Sequence, residues 1–215
     1  IVGDVYVPVR DFLTGTVAWS VLVAAPAWLA WRVKGWRLAV FTAAAVLTMG
    51  LLGWWADSID TLTQVAAAVV LSLAIALPLG VWAGTSTRVE AVLGPMLDTL
   101  QTLPPFVYMI PVVNWFTVGI VPGMIASVLY AVVPGIRITA LGIRQVPTES
   151  LEASQAFGAT PAQTLLGVRI PLAAPTIMAA VNQVIMMVLA MVIIAGLVGA
   201  GALGFQVINA VTRGE

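Results

Sequence analysis

An all-α, polytopic integral membrane helix bundle is the fold class this sequence predicts, and three observations predict it. Of 215 residues, 61% are hydrophobic and only 8% are charged, against about 45–50% and about 25% in an ordinary soluble domain. Apolar stretches of membrane-crossing length recur six times, each close to the ~20 helical residues that a hydrocarbon core about 30 Å thick requires. The basic residues gather in alternate gaps between those stretches, as cytoplasmic loops demand. A soluble core could not absorb such an excess, because a domain of this size must still cover its surface with polar groups.

The expected spans are 12–31, 38–55, 61–84, 104–121, 123–144 and 177–198. They are apolar nearly all round, unlike the one-sided helices of soluble proteins, and they lack the short alternating strands of a membrane barrel. Pro104, Pro105 and Pro111 crowd the first half of the fourth. Pro78, Pro111 and Pro134 each remove a backbone hydrogen bond within a span and favour a kink there. Arg32, Lys34 and Arg37 place the first loop in the cytoplasm; Asp57 and Asp60 place the second outside. Arg88 turns the third loop inward, and Arg144 and Arg169 turn the fifth inward, so the N-terminus lies outside. Trp54 and Trp55 suit an outer aromatic belt, and Trp28, Trp31 and Trp36 an inner one. The first residue is Ile1, so the start is expected to be trimmed. No stretch reads as a cleavable signal peptide, and the spans themselves direct insertion.

Much chemistry is excluded. With no Cys and no His, the chain lacks the ligands and bases of zinc sites, haem ligation, thiol nucleophiles and imidazole catalysis, and no metal site is expected. Nine basic residues balance nine acidic ones, which leaves no cationic face for nucleic acid. Gly199-Ala-Gly201-Ala-Leu-Gly204 matches a dinucleotide fingerprint in letters only, since an apolar span precedes it instead of a strand. Those glycines are expected to turn the backbone or to let a helix pack closely. Gly80 and Gly84 form a Gly-x-x-x-Gly pair suited to close helix packing within the chain, with a dimer seam the alternative. The single Lys, Lys34, stands between Val33 and Gly35 and cannot serve a phosphate-binding loop. The chain therefore carries no cofactor of its own, and ATP with Mg would have to be bound by another subunit.

The fifth loop, 145–175, holds the main functional signal. Thr148 is expected to cap a helix that Glu149 and Glu152 favour by their charge and that Gly158 ends. Thr160 and Gln163 form a capping box around Pro161, which starts a second helix, and Pro171 is expected to stop it near Arg169. Ser154, Gln155 and Phe157 are the side chains expected to face out, and a Phe among small residues suits a shallow apolar groove on a partner.

Here the chain resembles a family. Glu152-Ala153-Ser154, three residues, Gly158, nine residues and Val168-Arg169-Ile170-Pro171 resemble the EAA loop of permeases of type I ABC importers, Glu-Ala-Ala-x3-Gly-x9-Ile-x-Leu-Pro. Ser154, Val168 and Ile170 are mild departures. Leu100–Tyr108, Pro134-Gly-Ile-Arg137, Gly142-Ile-Arg-Gln-Val-Pro147 and Pro171-Leu-Ala-Ala-Pro175 are similar to the permease subunit of glycine betaine/proline-type osmoprotectant importers, and Asn182-Gln183 fits as well. The resemblance implies the type I importer transmembrane fold, with a further span expected after residue 215. It implies two ATPase subunits, a second permease (a copy or a related chain), an external substrate-binding protein, and surrounding lipid. It also implies that Glu152, Ala153, Ser154, Phe157, Gly158 and Pro171 couple the chain to the ATPase, as a ball sits in a socket.

The substrates implied carry quaternary ammonium or zwitterionic heads, which suit aromatic faces. Tyr108, Trp115, Phe116 and Tyr130 are candidates to line the path, with plain packing the alternative for each. Asn114, Asn182 and Gln183 are polar residues inside spans, as is Gln64, and serve either the path or helix–helix hydrogen bonds. Arg137 lies within the fifth span, where a central Arg costs roughly 2.5–3.5 kcal/mol on insertion scales. It is read as a member of an ion pair or an inner gate. The competing function is an autonomous secondary transporter or channel, which would more often show coupling carboxylates deep in the spans or an internal repeat.

Overall fold

The computed structural model describes residues 7–8, 10–12, 15, 19–197 and 199–214. Residues 13, 14 and 16–18 of the first expected span lie outside the described residues. Those described are almost entirely helical, and none forms a strand. The helices are α1 (Trp19–Lys34), α2 (Trp36–Leu51), α3 (Trp55–Thr85), α4 (Thr87–Thr102), α5 (Pro105–Phe116), α6 (Ile120–Arg144), α7 (Thr148–Ala156), α8 (Pro161–Thr164), α9 (Ile170–Leu197) and α10 (Ala202–Arg213). A π turn, Leu165–Arg169, joins α8 to α9 without a break in the rod.

Three rods are long and apolar enough to cross a membrane: α3 with 31 residues, α6 with 25, and the run Pro161–Leu197 with 37. Helices α1 and α2 have 16 residues each. The stretch 104–121 forms the 12-residue α5, only about 18 Å long. The region around Arg88, expected to be a loop, is the 16-residue helix α4. Its apolar residues Val89, Val92, Leu93, Met96, Leu97 and Leu100 repeat at helical spacing, and Ser86 caps its start by accepting from the Val89 N–H at 3.5 Å.

The chain divides into two compact units. One comprises 1–67, 118–123 and 192–215; the other 68–117 and 124–191. In the first, α1 and α2 form an antiparallel pair joined at Gly35. The guanidinium of Arg32 lies 5.4 Å from the Trp28 ring centroid, and that of Arg37 lies 5.7 Å from Trp36. Three polar contacts tie the start of α10 to the start of α3. Gln64 Nε2 donates to the Ala200 carbonyl at 2.9 Å, the Leu203 N–H to Thr61 Oγ1 at 3.0 Å, and Gln206 Nε2 to Asp57 at 3.1 Å. The expected tight packing of the glycines is present. A Cβ on Gly204 would stand 2.2 Å from the Val192 carbonyl oxygen, while Gly199 and Gly201 adopt φ of 71° and 72° at the turn.

The second unit is built on small-residue contacts between α3, α6 and α9. Gly80 and Gly84 face α6, where a Cβ would meet Thr139 Cβ at 2.6 Å and Ile143 Cβ at 2.7 Å. Gly135 receives Ala76 and Val184 in the same way. Apolar packing then splits into two clusters. Ala76, Leu97, Val133 and Ile136 gather under Leu93 and Leu100 of α4; Ile143, Val146 and Ala173 gather beside Leu151 of α7. The second cluster seats the loop region on the rods.

Candidate functional site

The segment between α6 and α9 is a rigid knob. Helix α7 ends in two hydrogen bonds, from the Gly158 N–H to the Gln155 carbonyl at 2.9 Å and from the Ala159 N–H to the Ser154 carbonyl at 3.1 Å. This is the Schellman arrangement, with Gly158 left-handed at φ 78°. Two residues on, the expected capping box is complete. The Thr160 N–H donates to Gln163 Oε1 at 2.8 Å, and the Gln163 N–H to Thr160 Oγ1 at 3.4 Å. The corner is thus closed from both sides by local bonds.

Three details depart from the sequence reading. Thr148 does not cap α7; Pro147 holds that place and offers no side-chain bond, and Thr148 is the first helical residue. Ser154 does not face out. It is half-buried, and its hydroxyl lies 2.9 Å from that of the buried Thr164, pinning α7 to α8. Nor does Pro171 stop the second helix. The π turn beneath it carries a wide bond from the Ile170 N–H to the Leu165 carbonyl. That shifts the ladder so that Pro171, in the first turn of α9, displaces no ordinary helical donor. Glu152, Ala153, Gly158 and Pro171 are exposed, and Phe157 is 93% exposed at the tip. A bare phenyl ring on a well-bonded corner is a surface made to be covered.

Beside the knob, α4 runs antiparallel to α6 and is clamped to it by two ion pairs, Arg137 with Asp98 and Arg144 with Glu90. The acids are eight residues apart and the bases seven, two helical turns in each case, which puts both pairs in register. The Arg144 guanidinium, donating to it, holds the Glu90 carboxyl below its ordinary range against a weaker opposing effect of desolvation. Sequence reasoning named Arg137 but missed Asp98 and Glu90. The amphipathic period of α4 was the signal that could have found them.

The path candidates are spread along α5, α6 and α9. Asn114, Trp115 and Phe116 are exposed at the end of α5, with Trp115 at 82%. Tyr130 is half-buried in α6, Gln183 is half-buried in α9, and the exposed Asn182 makes only a weak contact to Met186 Sδ at 3.9 Å. The side chain of Tyr108 lies outside the described residues. Gln64, by contrast, is buried and used as a structural tie. Among the described residues, no group of three or more His, Cys, Asp or Glu side chains is arranged to hold a metal ion.

Apolar rods with a stiff polar knob set between two of them are the design of a multi-pass membrane component of a transport system. The chain belongs to the family of binding-protein-dependent transport system inner membrane components, which matches residues 76–214. It is 45% identical, over 86% of its length, to the glycine betaine transport system permease protein OpuAB of Bacillus subtilis (strain 168). It is 41% identical, over 97% of its length, to the glycine betaine/proline betaine transport system permease protein ProW of Escherichia coli (strain K12). The chain spans 66% and 61% of those two relatives. Among solved structures, an inward-facing MetNI methionine ABC transporter matches with a TM-score of 0.64 at 24% identity, over 72% of this chain and 78% of that one. The likeness is one of fold, the type I ABC importer transmembrane fold, and the protein is a multi-pass component of the inner membrane.

Proposed function

We propose that this chain is the non-catalytic, membrane-spanning permease subunit of an ATP-driven importer for small quaternary-ammonium or zwitterionic osmoprotectants such as glycine betaine, proline, choline or carnitine. The permease names of its relatives support that substrate class. In this reading the chain crosses the membrane several times, the three long rods α3, α6 and Pro161–Leu197 among the crossings, with its N-terminus outside and the knob facing the cytoplasm. Two ATPase subunits bind ATP and Mg, a second permease completes the gate, and an external binding protein delivers substrate.

The observation that carries the mechanism is the corner closed by hydrogen bonds on both sides beneath the bare Phe157 ring. Glu152, Ala153, Phe157 and Gly158 form the face that docks in the ATPase. Ser154 fixes that face to α8, and Pro171 sits where α8 and the π turn pass into α9. When two ATPases close on ATP, a soft loop would dissipate the movement. This one is bonded at both ends of its corner and packed on Ile143 and Ala173, so it transmits the movement to α6 and α9. Arg137, paired with Asp98, would hold α4 on α6 during that rotation.

Proteoliposomes carrying the chain with its cognate ATPase and binding protein should take up labelled glycine betaine only with ATP inside. Uptake by this chain alone, without the ATPase, would favour the autonomous-transporter reading and defeat the proposal.

A further inference from the structure

Within the second unit, a cleft of about 500 Å³ opens between the inner end of α3 and the back of the knob. That volume is in the range that takes small molecules. Thr85 lines one side; Gln155, Pro161, Thr164, Leu165 and Arg169 line the other. Arg169 is the one charged residue of the lining, and it is half-buried. No carboxylate pairs with it among the described residues, whereas Arg137 and Arg144 each hold one. A second feature marks the same wall. Leu165 and Arg169 are the two ends of the π turn, a local widening of the helix that recurs at functional sites.

We propose that this cleft is an anion site. Arg169 supplies the charge, the Gln155 side-chain amide is the neutral donor on the same wall, and the ligand is a phosphate-bearing group of headgroup size; the Thr85 hydroxyl, which donates to the Val81 and Trp82 carbonyls, only bounds the facing wall. A guanidinium presents paired N–H donors matched to phosphate oxygens, and a half-buried one without an acid is left short of acceptors. The ligand would be held from the knob, against the wall that α3 provides. Two sources share this chemistry, a phospholipid headgroup at the inner surface and a free phosphate. The lipid source rests on the cytoplasmic placement of the knob in the function proposed above; the anion site itself does not.

The test is chemical protection of Arg169 in the permease–ATPase complex. Phenylglyoxal modification is followed residue by residue by peptide mass spectrometry, with Arg88 and Arg213 as internal references. The complex is held in phosphate-free maltoside micelles. To separate samples are added inorganic phosphate, phosphatidylglycerol, or a diacylglycerol with the same tails and no phosphate. Occupancy slows labelling by 1 + [L]/Kd, about fivefold at a ligand concentration about four times Kd. Slowing at Arg169 alone by inorganic phosphate assigns a free anion, and slowing by phosphatidylglycerol alone assigns a headgroup; either supports the proposal. Equal slowing by diacylglycerol overturns it, as does no slowing by either phosphate carrier. Protection in every sample that disappears on removing the ATPase also overturns it, since the partner would then be a protein carboxylate. Uptake of glycine betaine by the same preparation is scored separately, so a failed transport assay leaves the labelling result standing.

Discussion

Gly158 offers the cleanest perturbation of the knob, because its cost comes from the backbone alone. Its φ is 78°, and a Cβ built there meets nothing within 4 Å. An Ala therefore fits in space and suffers only the left-handed penalty, about 1–2 kcal/mol for an L residue. That lowers the population of the closed corner by a factor of about 5–30. Asn, which tolerates this region, should lose less, and Val, stiff and branched at Cβ, should lose more. Two readouts follow the same order. Hydrogen-exchange protection of the Ala159 amide, bonded to the Ser154 carbonyl, should fall by that factor in Gly158→Ala. Betaine uptake per ATP hydrolysed should fall from Gly through Asn and Ala to Val, while the variants still insert and co-purify with the ATPase. A Gly158→Val protein with undiminished exchange protection and normal coupled uptake would refute the reasoning, since the corner would then not need its left-handed residue.

Three further outcomes follow from the packing. Glu90 has a folded carboxyl lowered by Arg144, so its contribution is fully present above its unfolded value and is lost as pH falls through the folded one. The melting-temperature gap between wild type and Glu90→Gln should thus be open at neutral pH and close in acid; a gap independent of pH would count against the pair. Gly80→Leu drives side-chain atoms into Thr139 and the Ile136 carbonyl and should destabilise the purified protein by about 1–3 kcal/mol in denaturant titration, where an unchanged midpoint would contradict the α3–α6 contact. Gln64→Leu strips the buried Ala200 carbonyl of its donor and should cost about 1–3 kcal/mol, visible as early exchange of the α10 amides before global unfolding.

Composition and spacing were enough to announce a helical membrane protein, because 61% apolar residues with 8% charge leave a chain no other solvent. Local chemistry was equally legible where it acts over a few residues. The Thr160–Gln163 capping box and the Gly158 corner are both present, since each depends only on neighbours within one helical turn. What failed in the sequence reading were the Thr148 cap, a π turn that the letters do not announce, and features settled by partners further along the chain. Pro171 looked like a stop until the π turn absorbed it. Ser154 looked exposed until its hydroxyl met that of Thr164, ten residues on. Helix α4 went unseen because its polar face, read alone, resembles a loop; only Arg137 and Arg144, arriving from α6, reveal why Asp98 and Glu90 stand two turns apart. Short-range bonds are written in adjacent letters. The pairing of distant charges depends on where whole rods lie against each other, and that was decided by the tertiary structure alone.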